Sequence, residues 1–288
     1  MEYIINLGIL FCIYSVLALS LNMVVGMSGL LSLAQAAFYG IGAYATALGM
    51  TKLGLGFFTT ILLGMLINSV IAYIVGKILS RFQGDYYAIV SAGLSIIVFS
   101  VLLNWKELTN GPLGVFGIDK PAIGDYRFYS NDAFLLLCLA FLIVIYAIYY
   151  IIDKSSFGRC LKALREDEQL TRVMGYKAKH FKSIIFVLSA ALSGVAGALF
   201  AAYIAFIDPS TFQLKEGIFL FTIIIVGGLS SSRGSVVGAI ILISLPEVLR
   251  FLGLPYETAA QLQQMIYGAM LVLMMILRPQ GLFGKYKM

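Results

Sequence analysis

The chain has 288 residues, of which 60% are apolar and only 12% charged, and its mean hydropathy is +0.95. Soluble domains carry about twice that share of charge, so a soluble globular protein is excluded. The net charge of +6 does not point to nucleic acid, because the excess basic residues stand in loops beside apolar runs, as the positive-inside bias of membrane proteins predicts.

The apolar runs are continuous rather than alternating, which selects an all-α polytopic membrane protein over a β-barrel. The N-terminus, Met-Glu-Tyr-Ile-Ile-Asn, lacks the basic region of a signal peptide, and Ile4–Val25 reads as an uncleaved first span. Nothing ionisable lies between Glu2 and Lys52. That stretch is too long for one helix, and Gly26-Met-Ser-Gly29 divides it, leaving Leu30–Met50 as the second span. Phe57–Gly76, Tyr86–Leu103, Ala133–Ile152 and Ser183–Ile207 follow, each near the ~20 residues that cross a hydrocarbon core. The last third is broken. Gly217–Gly228 and Ser235–Leu245 are short and flank Gly-Gly-Leu-Ser-Ser-Ser-Arg-Gly, a kind of interruption tolerated at membrane depth only inside protein or beside a water-filled cavity. Ala259–Leu277 closes the series, for about eight or nine crossings in one transmembrane domain over residues 1–288.

Two loops set the sidedness. Residues 153–182 hold eight basic residues, Lys154, Arg159, Lys162, Arg165, Arg172, Lys177, Lys179 and Lys182, and are assigned to the cytoplasm. Arg278, Lys285 and Lys287 put the C-terminus on the same side. The loop 104–132 is more acidic, is rich in Gly and Pro, and is assigned outside, as is the N-terminus by counting back. The cytoplasmic loop reads as two helical pieces. Leu161 and Leu164 share one face, and Leu170, Val173 and Met174 recur at i, i+3, i+4. Gly175 stands where a helix C-terminus favours positive φ. Lys177, Lys179 and Lys182 return the chain to the headgroups of the membrane lipid.

Polar side chains inside spans face either a pathway or a neighbouring helix. The residues in question are Ser32, Gln35 and Tyr44 in the second span, with the aromatic Phe38 among them, and Ser91 and Ser95 in the fourth. Small residues at Ser189, Ser193, Gly197 and Ala201 recur every fourth position, the pattern of close helix packing. Arg233, beside Ser230, Ser231, Ser232 and Gly234, fits an arginine reaching to water better than a substrate ligand. His180 has no companion ligands, and Cys12, Cys138 and Cys160 form neither a disulfide framework nor a metal spacing. No phosphate-binding Gly-x-x-x-x-Gly-Lys-Ser/Thr loop occurs, and carboxylates are nearly absent from the spans, which disfavours a proton- or sodium-coupled carrier.

Gly29-Leu-Leu-Ser-Leu-Ala-Gln-Ala-Ala-Phe-Tyr-Gly-Ile-Gly-Ala-Tyr44 resembles the signature of the permease subunits of branched-chain amino acid ABC importers, the LivH/LivM family and its LivM type in particular. Leu108–Gly114 resembles that family's external loop, and Phe157–Glu168 with Met174-Gly175 resembles its cytoplasmic coupling segment. Gly227–Ala239 and Arg278–Gly284 resemble its C-terminal motifs. Ala34-Gln35 and Ser91-Ala92 depart from the Gly-His and Thr-Leu that the family often has.

The resemblance implies an ABC importer permease fold in a bacterial or archaeal plasma membrane. Ser32, Gln35, Phe38, Tyr44, Ser91, Ser95, Gly227 and Gly228 would then lie on the substrate pathway. Arg159, Leu161, Leu164, Arg165, Glu166, Asp167, Leu170, Met174 and Gly175 would couple to ATPase subunits. It further implies a homologous second permease, two cytoplasmic ATPases that bind ATP and magnesium, and an external solute-binding protein. It implies no catalysis, metal or cofactor on this chain. Urea and short amides are alternative solutes within the family. A self-sufficient channel or secondary carrier is the competing class.

Overall fold

A computed structural model describes residues 2–284 apart from 83, 124, 125, 129, 252–255 and 279. Uninterrupted apolar sequence gives long helices, and polar caps and glycines end them. The first helix, α1 (Glu2–Asn22), runs on into a π-helical turn, Met23–Met27. Gly29, at φ +70°, then leaves the helix. The chain does not resume helix at residue 30. It stays irregular to α2 (Gln35–Thr51), because α4 supplies the hydrogen bonds a helix would otherwise make: the Leu33 N–H donates to Ser91 Oγ (3.0 Å), and Ser95 Oγ donates to the Leu33 carbonyl (2.7 Å). The second span is therefore shorter than its apolar run.

Next come α3 (Phe57–Leu79), α4 (Asp85–Asn104) and the one-turn α5 (Lys106–Thr109). The loop beyond holds three two-residue strands, β1 (Val115–Phe116), β2 (Ala122–Ile123) and β3 (Tyr126–Arg127). Ser130 Oγ, accepting from the Ala133 N–H, caps α6 (Asn131–Lys154), which at 1.5 Å per residue is about 36 Å long. At its far end lie α7 (Ser156–Glu166), capped by Ser155, and α8 (Glu168–Val173), capped by Asp167. Gly175 has the expected positive φ, +89°. The next helix, α9 (Ala178–Ile204), begins five residues before the apolar run does. Lys179 and His180 stand in its first turn, since charge alone does not break a helix. After α9, β4 (Phe206–Ile207) pairs antiparallel with β1, tying two loops at one face. The chain ends in α10 (Leu214–Gly227), α11 (Ser232–Phe251) and α12 (Tyr256–Leu277).

Among the described residues five helices are long and apolar enough to cross a membrane: α1, α3, α4, α6 and α9. The α10–α11 pair is bent by 119°, and α2 and the Gln261–Leu277 stretch of α12 add shorter apolar helical segments, so the chain is an all-α polytopic membrane protein. In the spans, 78% of α9 and 56% of α1 is buried by the rest of the chain, against 22% for α4 and α6. The first two are the central posts, and the others present Leu66, Val70, Ile97 and Leu136 outward. Small residues make the centre possible. A Cβ on Gly42 would lie 2.4 Å from Gly194 Cα, and one on Gly197 would lie 2.3 Å from the Tyr39 carbonyl oxygen, so α2 and α9 touch backbone to backbone.

Candidate functional site

The polar residues of the second span meet partners from other helices. Gln35 donates to Ser20 Oγ of α1 (2.6 Å) and to Ser193 Oγ of α9, and accepts from Ser189 Oγ (3.3 Å). Ser189 lies within reach of the Ser20 carbonyl as well (2.6 Å). Ser32 Oγ accepts from the Ala34 N–H where α2 begins. Phe38 stands edge-on to Phe186, and Tyr44 edge-on to Phe212, both rings buried. Ser91 and Ser95 are fully buried on Leu33. Bonds to other segments thus account for the polarity of Gln35, Ser91 and Ser95, Ser32 is used locally at the start of α2, and all six residues face the interior of this one chain.

Gly227 and Gly228 form the second centre. Gly228 takes φ +121° and Ser230 φ +59°, and the helix reverses within four residues. A Cβ on Gly227 would lie 2.0 Å from the Gly234 carbonyl oxygen, and one on Gly228 would lie 2.2 Å from the Gly284 nitrogen. The segment after α12 lies against this reversal. The Leu282 and Phe283 N–H groups donate to the carbonyls of Val226 (3.0 Å) and Gly227 (2.9 Å), which α10 leaves open at its end.

Asn22, which the sequence does not single out, binds the same turn from α1. Its amide nitrogen donates to the Gly228 (3.4 Å) and Ser231 (3.1 Å) carbonyls and to Ser235 Oγ (2.6 Å), and its oxygen accepts from the Ser230 N–H (2.9 Å). Buried side-chain bonds in membrane proteins contribute on average ~0.6 and at most ~1.7 kcal/mol each. Asn22→Leu should therefore cost about 2–4 kcal/mol, since it also strands buried partners. Thermal unfolding of the detergent-purified subunit measures this, with Asn104→Leu at the exposed end of α4 as a variant expected to stay near wild type.

The basic element divides in two. Leu161 (0% exposed) and Leu164 (2%) are covered by this chain itself, against α6, α9 and the π-helical turn. This corrects the expectation that both present an apolar face to a partner: amphipathic spacing gives the face but not what covers it. Leu170 (57%), Val173 (87%) and Met174 (68%) remain exposed on and just after α8. Arg165 donates to the Gly26 carbonyl in the π-helical turn, one helical turn beyond Asn22, which joins α7 to the reversal. Arg159 is exposed and bonds Ser156 Oγ (2.8 Å) and the Lys154 carbonyl (3.0 Å). Glu166 is exposed, and Asp167 accepts from the Leu170 N–H (2.9 Å). Glu168 bridges Arg172 and Lys182 (2.6 Å to the latter). Burial raises its carboxyl, but the two cations outweigh burial and hold it below the ordinary carboxylate range. Its tie between α8 and α9 is thus fully present above that range and lost as the pH falls through its own lower value.

A third feature was hidden in the sequence: a cavity of about 650 Å³ between α1, α10, α11 and α12, lined by Tyr14, Glu216, Glu247 and Tyr267 among others. The expected pathway residues do not line it. Among the described residues no cluster of His, Cys, Asp and Glu suited to a metal ion occurs.

Comparison with known proteins gives a consistent picture. Residues 3–275 match the family described as branched-chain amino acid transport system / permease component. The high-affinity branched-chain amino acid transport system permease protein LivM of Salmonella typhimurium is 36% identical, over 94% of this chain and 67% of that protein. LivM of Escherichia coli is 35% identical, over 96% and 69%. The permease protein LivH of Salmonella typhimurium is 25% identical, over 94% and 91%.

Proposed function

The chain belongs to the branched-chain amino acid transport system permease family, and from that premise we propose that it is one permease subunit of an ATP-driven importer of branched-chain amino acids. The match over residues 3–275 carries this proposal. A second, homologous permease completes the pathway, a pairing supported by the likeness of this chain to both LivM and LivH. Two cytoplasmic ATPases bind and hydrolyse ATP, and an external binding protein delivers the solute. The exposed Leu170, Val173 and Met174 beside basic residues support α8 as the ATPase contact, with Arg159, Glu166 and Asp167 as a charged rim that sets orientation. Arg165, through Gly26, is the link from that contact to the α10–α11 reversal.

Uptake by a strain lacking this gene, with and without a plasmid copy, is the direct test. Labelled leucine should enter only with the plasmid, and labelled urea and acetamide should enter equally in both. Plasmid-dependent entry of urea or acetamide, without leucine, would overturn the amino acid assignment.

A further inference from the structure

Glu216 lies in the first turn of α10, just before the apolar run 217–227. A carboxylate at such a place is costly unless something compensates it. The Tyr14 hydroxyl stands within hydrogen-bonding reach of the Glu216 carboxylate, while Glu216 Oε1 is buried with no hydrogen-bond partner. The residue lines the 650 Å³ cavity, a volume within the usual ~300–1,000 Å³ range of small-molecule sites. The neighbouring wall is aromatic: Tyr14 stands edge-on to Phe219 at 5.5 Å, and Phe219 lies 4.8 Å from Tyr267. Leu7, Leu10 and Ile243 supply apolar surface, and Lys215 and Glu247 are the other charged groups in the lining.

Tyr267 is held in place by a defect in the opposite helix. Pro246 has no N–H, so the Leu242 carbonyl loses its bond within α11. The Tyr267 hydroxyl donates to that carbonyl (3.3 Å) while accepting from Gln263 Nε2 (2.7 Å). The wall is therefore fixed, and the buried carboxylate oxygen is left as the group that lacks a donor.

We propose that this cavity is a subsite for the transported solute, an apolar α-amino acid. Its ammonium group donates to Glu216 over the faces of Tyr14 and Phe219, and its side chain lies on Leu7, Leu10 and Ile243. An ammonium supplies the missing donor and is the cation that an aromatic wall favours. Lys215, at the start of α10, is the cation in the lining that suits the solute's carboxylate. The proposal rests on the branched-chain reading for the identity of the solute.

The test uses the complete complex in nanodiscs with Gly268→Cys in this chain. Gly268 lines the cavity and a side chain there meets open space, while Cys12, Cys138 and Cys160 are buried. Modification by a hydrophilic maleimide is timed with leucine and with 4-methylpentanoate, which lacks the ammonium. Leucine should slow modification and 4-methylpentanoate should not. Glu216→Gln should raise the leucine concentration needed by about tenfold or more, the weight of one charge-assisted hydrogen bond. Equal protection by both compounds, or protection by neither, overturns the subsite, and that comparison needs no change at Glu216. Leucine uptake is measured on the same purified complex reconstituted into proteoliposomes: uptake without protection overturns the subsite alone, and no uptake overturns the branched-chain reading, while protection still decides the subsite.

Discussion

Gly228→Leu should abolish leucine uptake while the subunit remains in the membrane at wild-type abundance. At φ +121° a side chain is strained by about 1–3 kcal/mol before any contact is counted. The new Cβ would also meet the Gly284 nitrogen at 2.2 Å, and backbone there cannot rotate away as a side chain would. Relieving that overlap costs a further ~1–3 kcal/mol or pushes the last described residues off α10. The total, about 2–6 kcal/mol, reaches only the low end of the ~5–15 kcal/mol that holds a typical fold together, so a chain of ordinary stability survives with its reversal displaced. Immunoblots of membranes and uptake of labelled leucine separate the two effects. Gly93→Leu on α4, where a Cβ meets nothing within 4 Å, should transport normally. Wild-type uptake by Gly228→Leu would show that the reversal takes no part in transport.

The double variant Leu170→Asp, Met174→Asp should lose co-purification with the ATPase subunits and lose hydrolysis stimulated by the loaded binding protein. Both side chains are mostly exposed, so charge there leaves the subunit intact. In a partner's groove, burial of the two contributes about 3–6 kcal/mol, and burying two carboxylates instead reverses its sign. Loss of even the lower figure is more than a hundredfold in affinity. A competing arrangement lays the whole 153–182 loop flat on lipid headgroups through its lysines. Retained co-purification and retained stimulation would favour that arrangement and move the ATPase contact elsewhere.

What the sequence made legible were the features that depend on near neighbours. Gaps between charges located the spans, Gly29 marked a real break, and Gly175 and Gly228 carry the positive φ expected of such residues. What stayed hidden depends on distant partners. Leu30–Ala34 looks like helix, yet Ser91 and Ser95 hold it open from a helix some sixty residues later. Asn22 is one amide in an apolar run, and its partners lie more than two hundred residues away. Glu216 reads as the edge of a loop until Tyr14 and Tyr267 close around it. Leu161 and Leu164 were placed on the right face, but only the tertiary structure shows that α9 covers it.

The bonds from Leu282 and Phe283 to Val226 and Gly227 also bear on the order of synthesis. A ribosome that has delivered α10 and the turn after it has put two carbonyls into the membrane whose donors do not yet exist. Such groups cost several kcal/mol in hydrocarbon. They wait through the making of α11 and α12, so the reversal is the last part of the helix bundle to be completed. A nascent chain stalled within α12 still lacks the contact that closes α10.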